Sequence, residues 1–171
     1  MTRITNHRSI LGIDPTPRGL AFAAFEGGEL LDWGTRGRDR NELTLLDRLL
    51  AAFKTEVLVL EDPDARGSER RARMKVLLRR MAKHAQSQGV SVFKVSRRAV
   101  RETYARQGAK RKHAVAEAIA EAFPEIKPLV PRMRKVYRSE EARAEIFDAL
   151  SLVLHAFPIG RRAEAVGRAA S

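Results

Sequence analysis

Acidic residues occupy positions in this chain where carboxylates are costly to bury. One apolar run ends in Asp14 and a second ends in Glu61, while Glu145 and Asp148 lie three residues apart in an apolar helical pattern near the C-terminus. A desolvated carboxylate is unfavourable unless a cation or hydrogen bonds compensate for it. We therefore expect these acids to converge on a metal ion.

The chemistry of the four acids indicates which ion they would bind. Ligand sets made only of oxygen favour Mg²⁺ or Mn²⁺. Glu145 and Asp148 share a helix face, and Glu141 extends that stripe by one turn, although the pattern leaves open whether Glu141 is a ligand. Two such ions, about 4 Å apart, activate water and stabilise the leaving oxygen in phosphodiester cleavage. The pattern predicts a metal-dependent nuclease with two ions, whose charges would balance four carboxylates.

Each acid also has a simpler interpretation. Asp14 precedes Pro15 and could begin a turn. Glu61 could be a solvated strand end, and Glu145 could be a solvated helix residue. Exposure is harder to explain for Asp148, which lies within an otherwise apolar stretch.

Basic residues are abundant and clustered. The chain has 33 Lys and Arg against 21 Asp and Glu, a formal net charge of +12. Such an excess favours polyanions through phosphate contacts and counterion release, although some of these residues could simply form a solvated helix face. The predicted nucleic-acid contacts are Arg66, Arg70, Arg71, Arg73, Arg101, Lys110 and Lys112, joined by Arg97 and Arg98.

Composition excludes several other classes. The chain has no cysteine, which rules out disulfides and thiolate metal sites, and its four histidines lack zinc-binding spacing. No apolar stretch approaches the roughly 20 residues of a membrane span. We see no signal peptide and expect a cytoplasmic protein with no membrane partner.

The elements that must position these residues follow the order β-β-β-α-β-α-β-α-α-α. This order predicts an α/β fold with a five-stranded mixed sheet and helices on both faces. We expect one domain over residues 1–158 and a polar tail over 159–171. The predicted strands cover 8–14, 20–25, 29–35, 57–61 and 90–95; the helices cover about 41–53, 68–88, 97–105, 110–123 and 139–157, with a loop over 124–138.

Spread over residues 8–157, the pattern resembles the RuvC-type Holliday-junction resolvases of the RNase H-like superfamily. Residues 10–15 (ILGIDP) are similar to the opening strand motif of that family, with Asp14 as its first acid. Glu61 matches the acid that closes the fourth strand, and Glu145 and Asp148 match the final acidic pair. Lys112 matches a basic residue beside the active site. The resemblance implies an RNase H-like fold, Mg²⁺-dependent cleavage with these residues as catalytic groups, and a homodimer spanning branched DNA.

The sequence departs from the family pattern in two segments and at one further residue. Residues 16–18 are Thr-Pro-Arg where the family has small residues, Glu145 replaces the usual Asp, and residues 62–73 contain no aromatic that could stack into a junction. We predict an endonuclease for four-way junctions, with the helix over 68–88 as the candidate dimer interface. An RNase H-like nuclease acting on structured RNA or hybrids, and a non-catalytic nucleic-acid-binding module, remain alternatives. An actin-like nucleotide binder would need a second glycine-rich phosphate loop, which the sequence lacks.

Overall fold

The computed structural model describes residues 8–37, 41–131, 141–157 and 159, except for the side chains of residues 141 and 142. The strands are β1 (Ser9–Thr16), β2 (Gly19–Glu26), β3 (Glu29–Gly37), β4 (Val57–Glu61) and β5 (Ser91–Val95). The α-helices are α1 (Glu42–Ala52), α2 (Ala72–Ser87), α3 (Arg97–Arg106), α4 (Lys112–Ala122) and α5 (Glu141–Ala156). A 3₁₀ helix spans Pro124–Leu129.

The five strands form one mixed sheet in the order β3-β2-β1-β4-β5. Strands β1, β2 and β3 pair antiparallel, as their short connections require. Strands β1, β4 and β5 are parallel neighbours joined through helices. The predicted mixed sheet is confirmed.

Helices cover both faces of the sheet, as the sequence predicts. Alternate residues of β1, such as Leu11 and Ile13, pack with α1 and α2 on one face. Ile10 of β1 and Val59 of β4 pack with α3, α4 and α5 on the other face. Because β1 and β4 are covered on both faces, they form nearly continuous apolar runs.

The register of β1 and β4 aligns the first two acids. Gly12 pairs with Val59 in the parallel ladder, so Asp14 and Glu61, each two residues further on, are level with one another. Side chains two residues apart in a strand point to the same face. Both acids therefore lie on the sheet face that carries α3, α4 and α5.

Several predicted boundaries are wrong in informative ways. Strand β1 does not end at Asp14 but continues to Thr16, because β2 remains paired with it as far as Gly19. Helix α2 begins at Ala72, so residues 68–71 belong to the preceding loop. The predicted loop over 124–138 contains the 3₁₀ helix. Residues 139 and 140, at the start of the predicted helix over 139–157, and the tail residues 160–171 lie outside the described residues.

Helix α2 gives less apolar surface for a dimer than we expected. Leu78 and Met81, two of the apolar positions on which that prediction rests, are fully buried against the sheet. Val76 is the large apolar residue of α2 that is half exposed, at 50%. Within the described ranges, no helix is both long and apolar enough to cross a bilayer.

Candidate active site

Two of the predicted acids are buried at the carboxyl edge of the sheet. Asp14 is 2% exposed and Glu61 is 3% exposed. Strand β1 pairs with β4 only as far as Gly12, so β1 carries Asp14 past that pairing while β4 ends at Glu61. The carboxyl edge of parallel strands is where open α/β sheets collect ligands, in agreement with the expected placement of both acids.

Helix α5 brings the second pair of acids to the same place. It packs so closely on β1 that a methyl group at Gly12 would lie 2.8 Å from the carbonyl oxygen of Ala149 and would overlap the Val153 side chain. Asp148, the residue before Ala149, contacts the same arginine as Asp14, namely Arg97, and Glu145 lies one turn earlier on the same helix face. Glycine at position 12 is thus what permits α5 to deliver its acids.

Two arginines, Arg70 and Arg97, stand among the acids. The Nε of Arg70 donates to Glu61 Oε2 at 2.7 Å, and its Nη2 donates to Asp14 Oδ1. The Nη2 of Arg97 lies 2.8 Å from Asp14 Oδ1 and 3.3 Å from Glu61 Oε2. The Nη1 of Arg97 lies 3.1 Å from Asp148 Oδ1. One guanidinium group therefore contacts three carboxylates from three different elements.

The remaining contacts give every predicted acid a cationic neighbour. Lys112 Nζ, at the start of α4, lies 3.2 Å from Asp148 Oδ2. Arg18 Nη2, in the turn between β1 and β2, lies 3.9 Å from Glu145 Oε1. The four acids are thus matched by four basic side chains of the same chain, namely Arg18, Arg70, Arg97 and Lys112.

Burial and neighbouring charges act in opposite directions on the pKa values of Asp14 and Arg70. Burial raises the pKa of Asp14 from 3.8 to about 6, an effect that Arg97 and Arg70 oppose and that the nearby Asp148 and Glu61 charges reinforce. Burial also lowers the pKa of Arg70, but the Asp14 and Glu61 carboxylates outweigh it and the net pKa is raised. Arg70 therefore stays charged, whereas the Asp14 carboxylate is destabilised by its surroundings.

The chemistry of this donor set fits a divalent metal. The guanidinium group of Arg97 is itself a stand-in cation held by Asp14, Glu61 and Asp148, and the donors are all oxygens, as Mg²⁺ and Mn²⁺ require. With the arginines in place, however, no group of three or more acidic, histidine or cysteine side chains in the described part of the chain is spaced to hold an ion. The carboxylates are therefore the type of ligand that a divalent metal needs. Their present spacing is one in which the arginines lie between them.

A cleft of about 820 Å³ opens around the acids. Seven of the nine predicted nucleic-acid contacts line it, namely Arg66, Arg70, Arg97, Arg98, Arg101, Lys110 and Lys112. Arg71 and Arg73 are exposed residues that do not line the cleft, and Arg73 lies 3.9 Å from Glu42 of α1.

Two basic residues have a role that differs from the one expected. Arg70 and Arg97 were expected to contact phosphate, whereas the structure places both on the acids. A signal was available for Arg97: it follows β5 by two residues, and Val95 of β5 pairs with Glu61. Because ligands of open α/β sheets collect at the carboxyl ends of strands, this position would have pointed to Arg97.

The strand order, the helices on both faces and the acids at the carboxyl edge define an RNase H-like fold. Within that class, the fold is similar to the folds of solved RuvC-type Holliday-junction resolvases, which confirms at the level of fold the resemblance carried by the sequence. No family profile matches the chain, and no curated protein matches it.

The similarity in fold is found in comparisons with solved structures. RuvC from Thermus thermophilus in complex with a Holliday-junction substrate aligns with a TM-score of 0.56 and 18% identity over 87% of this chain and 92% of the other. Another RuvC structure from Thermus thermophilus gives 0.57 and 17%, with 91% and 96% covered. The yeast mitochondrial Holliday-junction resolvase Ydc2 gives 0.61 and 12%, with 92% and 81% covered.

Proposed function

We propose that this protein is a divalent-metal-dependent endonuclease that cleaves phosphodiester bonds in branched DNA, with four-way junctions as its substrate. The observation that carries the proposal is the convergence of Asp14, Glu61 and Asp148 on one cationic group at the carboxyl edge of the sheet. The shared fold with junction resolvases and the basic cleft around the acids support it.

Under this proposal, Asp14, Glu61, Glu145 and Asp148 hold Mg²⁺ or Mn²⁺, with two ions as the expected number. The bound ions would supply an activated water and stabilise the leaving oxygen. Lys112, whose Nζ lies 3.2 Å from Asp148 Oδ2, would contact the phosphate next to the cut. Arg66, Arg101 and Lys110 line the cleft around the acids and hold the DNA backbone.

A homodimer is part of the proposal because a junction needs two symmetric cuts, which a twofold axis provides. We expect light scattering at tens of micromolar to show a dimer. A monomer with and without DNA would contradict junction resolution and leave the simpler nuclease proposal standing.

The test replaces acids without altering the basic surface. Asp14→Asn and Asp148→Asn should each abolish cleavage while circular dichroism and DNA affinity are retained. Asp64→Asn is the matched control, because Asp64 is an exposed carboxylate that pairs with Arg79 and lies outside the cleft lining. Activity of either acid variant within about tenfold of wild type, about 1.4 kcal/mol of barrier, would refute the assignment.

The substrate is tested with a panel containing a four-way junction, a flap, linear duplex, hybrid and structured RNA, each with Mg²⁺ or Mn²⁺. We expect the junction to be cleaved best, because a dimer can place its two clefts on two arms. Preferential cleavage of RNA or hybrid would replace the branched-DNA assignment with the RNA-directed one. Binding without cleavage of any member would indicate a non-catalytic module.

A further inference from the structure

The arginines of the site use the same carboxylate oxygens that a metal would need. Asp14 Oδ1 accepts from both Arg70 and Arg97, and Glu61 Oε2 also accepts from both. An ion bound to these oxygens would face two guanidinium charges at contact distance. Since like charges repel strongly in a partly desolvated site, an ion and the arginines compete for the same acids.

Both arginines are placed so that they can leave the acids. Arg70 belongs to the loop before α2, and Arg97 is the first residue of α3, so each reaches the acids along a long, partly exposed side chain. Both also line the cleft in which DNA is proposed to bind. Arginine binds phosphate through the same paired N–H groups that it uses for carboxylates.

We propose that Arg70 and Arg97 are exchangeable counter-ions, which the acids hold in the free protein and which DNA phosphates take over on binding. Release of the arginines frees Asp14 and Glu61 for a divalent ion. DNA and the ion therefore bind with positive coupling, and the free protein binds metal weakly. This inference rests on the proposed nuclease function and adds that binding of DNA favours binding of the metal ion. By linkage, the ion strengthens DNA binding by the same factor.

The first measurement is the affinity for Mn²⁺ in the absence of DNA, with the free ion quantified by electron paramagnetic resonance. Arg97→Gln should bind Mn²⁺ at least about tenfold more tightly than wild type, because it removes the charge that contacts three acids. Arg79→Gln is the matched control, since it removes the same charge from an exposed side chain that pairs with Asp64 and lies outside the cleft lining. It should bind within about twofold of wild type. Adding Asp14→Asn should remove the tight binding, which identifies the site.

The second measurement uses wild-type protein and so does not depend on the folding of a variant. Fluorescence anisotropy at constant ionic strength gives the affinity for an uncut four-way junction with and without Ca²⁺, a divalent ion that we expect not to support cleavage. Wild type should bind the junction at least about fivefold more tightly with Ca²⁺, whereas the gain for Arg97→Gln should be smaller, since only Arg70 still competes with the ion for Asp14 and Glu61.

The outcomes separate this inference from the proposed function. Equal Mn²⁺ affinity of wild type and Arg97→Gln, together with no effect of Ca²⁺ on junction binding, would overturn the counter-ion exchange and leave the nuclease proposal intact. Tighter Mn²⁺ binding by Arg97→Gln in a protein whose wild type cuts no substrate would support the exchange and refute the nuclease. Absence of Asp14-dependent Mn²⁺ binding in every protein, with or without junction, would refute both.

Discussion

Replacing Gly12 with alanine tests whether contact between β1 and α5 builds the site. The added methyl group would overlap the Val153 side chain and lie 2.8 Å from the Ala149 carbonyl oxygen. Ordinary contacts of this kind are about 3.5 Å, so α5 must retreat by roughly half an ångström or more. Overpacking of this kind costs about 1–3 kcal/mol in the free energy of unfolding, measured by urea denaturation.

The same displacement should reduce cleavage more than stability alone explains. Asp148 is the residue before Ala149, so it moves with the helix away from Asp14. A reacting group misplaced by about 1 Å can lower the rate by about 10²-fold, and we expect a loss of about ten- to a hundredfold for Gly12→Ala under conditions where the variant is fully folded.

Two further variants make this prediction specific. A methyl group at Gly37, also in a strand, would meet nothing within 4 Å, so Gly37→Ala should remain within about 0.5 kcal/mol of wild type. Val153→Ala relieves the overlap with the side chain but not the approach to the backbone oxygen of Ala149. The Gly12→Ala and Val153→Ala pair should therefore show favourable coupling of about 0.5–3 kcal/mol. Unchanged stability and activity of Gly12→Ala would refute the close packing of α5 on β1.

Three other predictions concern the buried acid Asp14, the helix cap Asn41 and the cleft residue Lys112. Because the pKa of Asp14 is about 6 in the folded protein against 3.8 ordinarily, the folded state binds this proton more tightly, and stability should fall as pH rises from about 4 to about 6. Asp14→Asn should remove that loss, about 3 kcal/mol above pH 6, in urea titrations with chelator; a difference from wild type that does not change with pH would contradict this. Asn41 caps α1 by accepting from the Leu43 amide at 3.0 Å, and Asn41→Ala should cost about 1 kcal/mol in the same assay. The Lys112 side chain is 81% exposed and its pair with Asp148 is screened, so Lys112→Gln should change stability by less than about 0.5 kcal/mol while slowing cleavage; equal losses in both would indicate a structural role.

The sequence predicted the fold well wherever burial on both faces left an unbroken apolar run. Strand β4 has the bounds that its five residues indicate, Val57–Glu61. Strand β1 was predicted too short because Pro15 signals a turn, but beyond Gly12 this strand no longer pairs with β4. A proline is tolerated in such one-sided pairing. The 3₁₀ helix Pro124–Leu129 is too short to show a helical period.

The candidate site was predictable in its acids and, of its two counter-ions, only in Arg97, which follows the end of β5 by two residues. Acids that end apolar runs stand out because a carboxylate there conflicts with its neighbours. Arg70 and Arg97 lie among many other basic residues, and nothing in composition distinguishes an arginine that binds protein carboxylates from one that binds phosphate. The position after β5 selects Arg97, whereas Arg70 is selected only by the way the loop before α2 lies against the acids.

The pairing of Gly12 with Val59 also restricts how this chain can change in length. Deleting one residue between Gly12 and Asp14 would turn the carboxylate to the opposite face of the sheet, among the leucines of α1 and α2. The same holds for the two-residue step from Val59 to Glu61. A substitution at these positions can weaken the site by a small or a large amount. An insertion or deletion of one residue instead moves the carboxylate out of the site altogether. We therefore expect this chain to tolerate length changes in the connections between the strands, but not between Gly12 and Asp14 or between Val59 and Glu61.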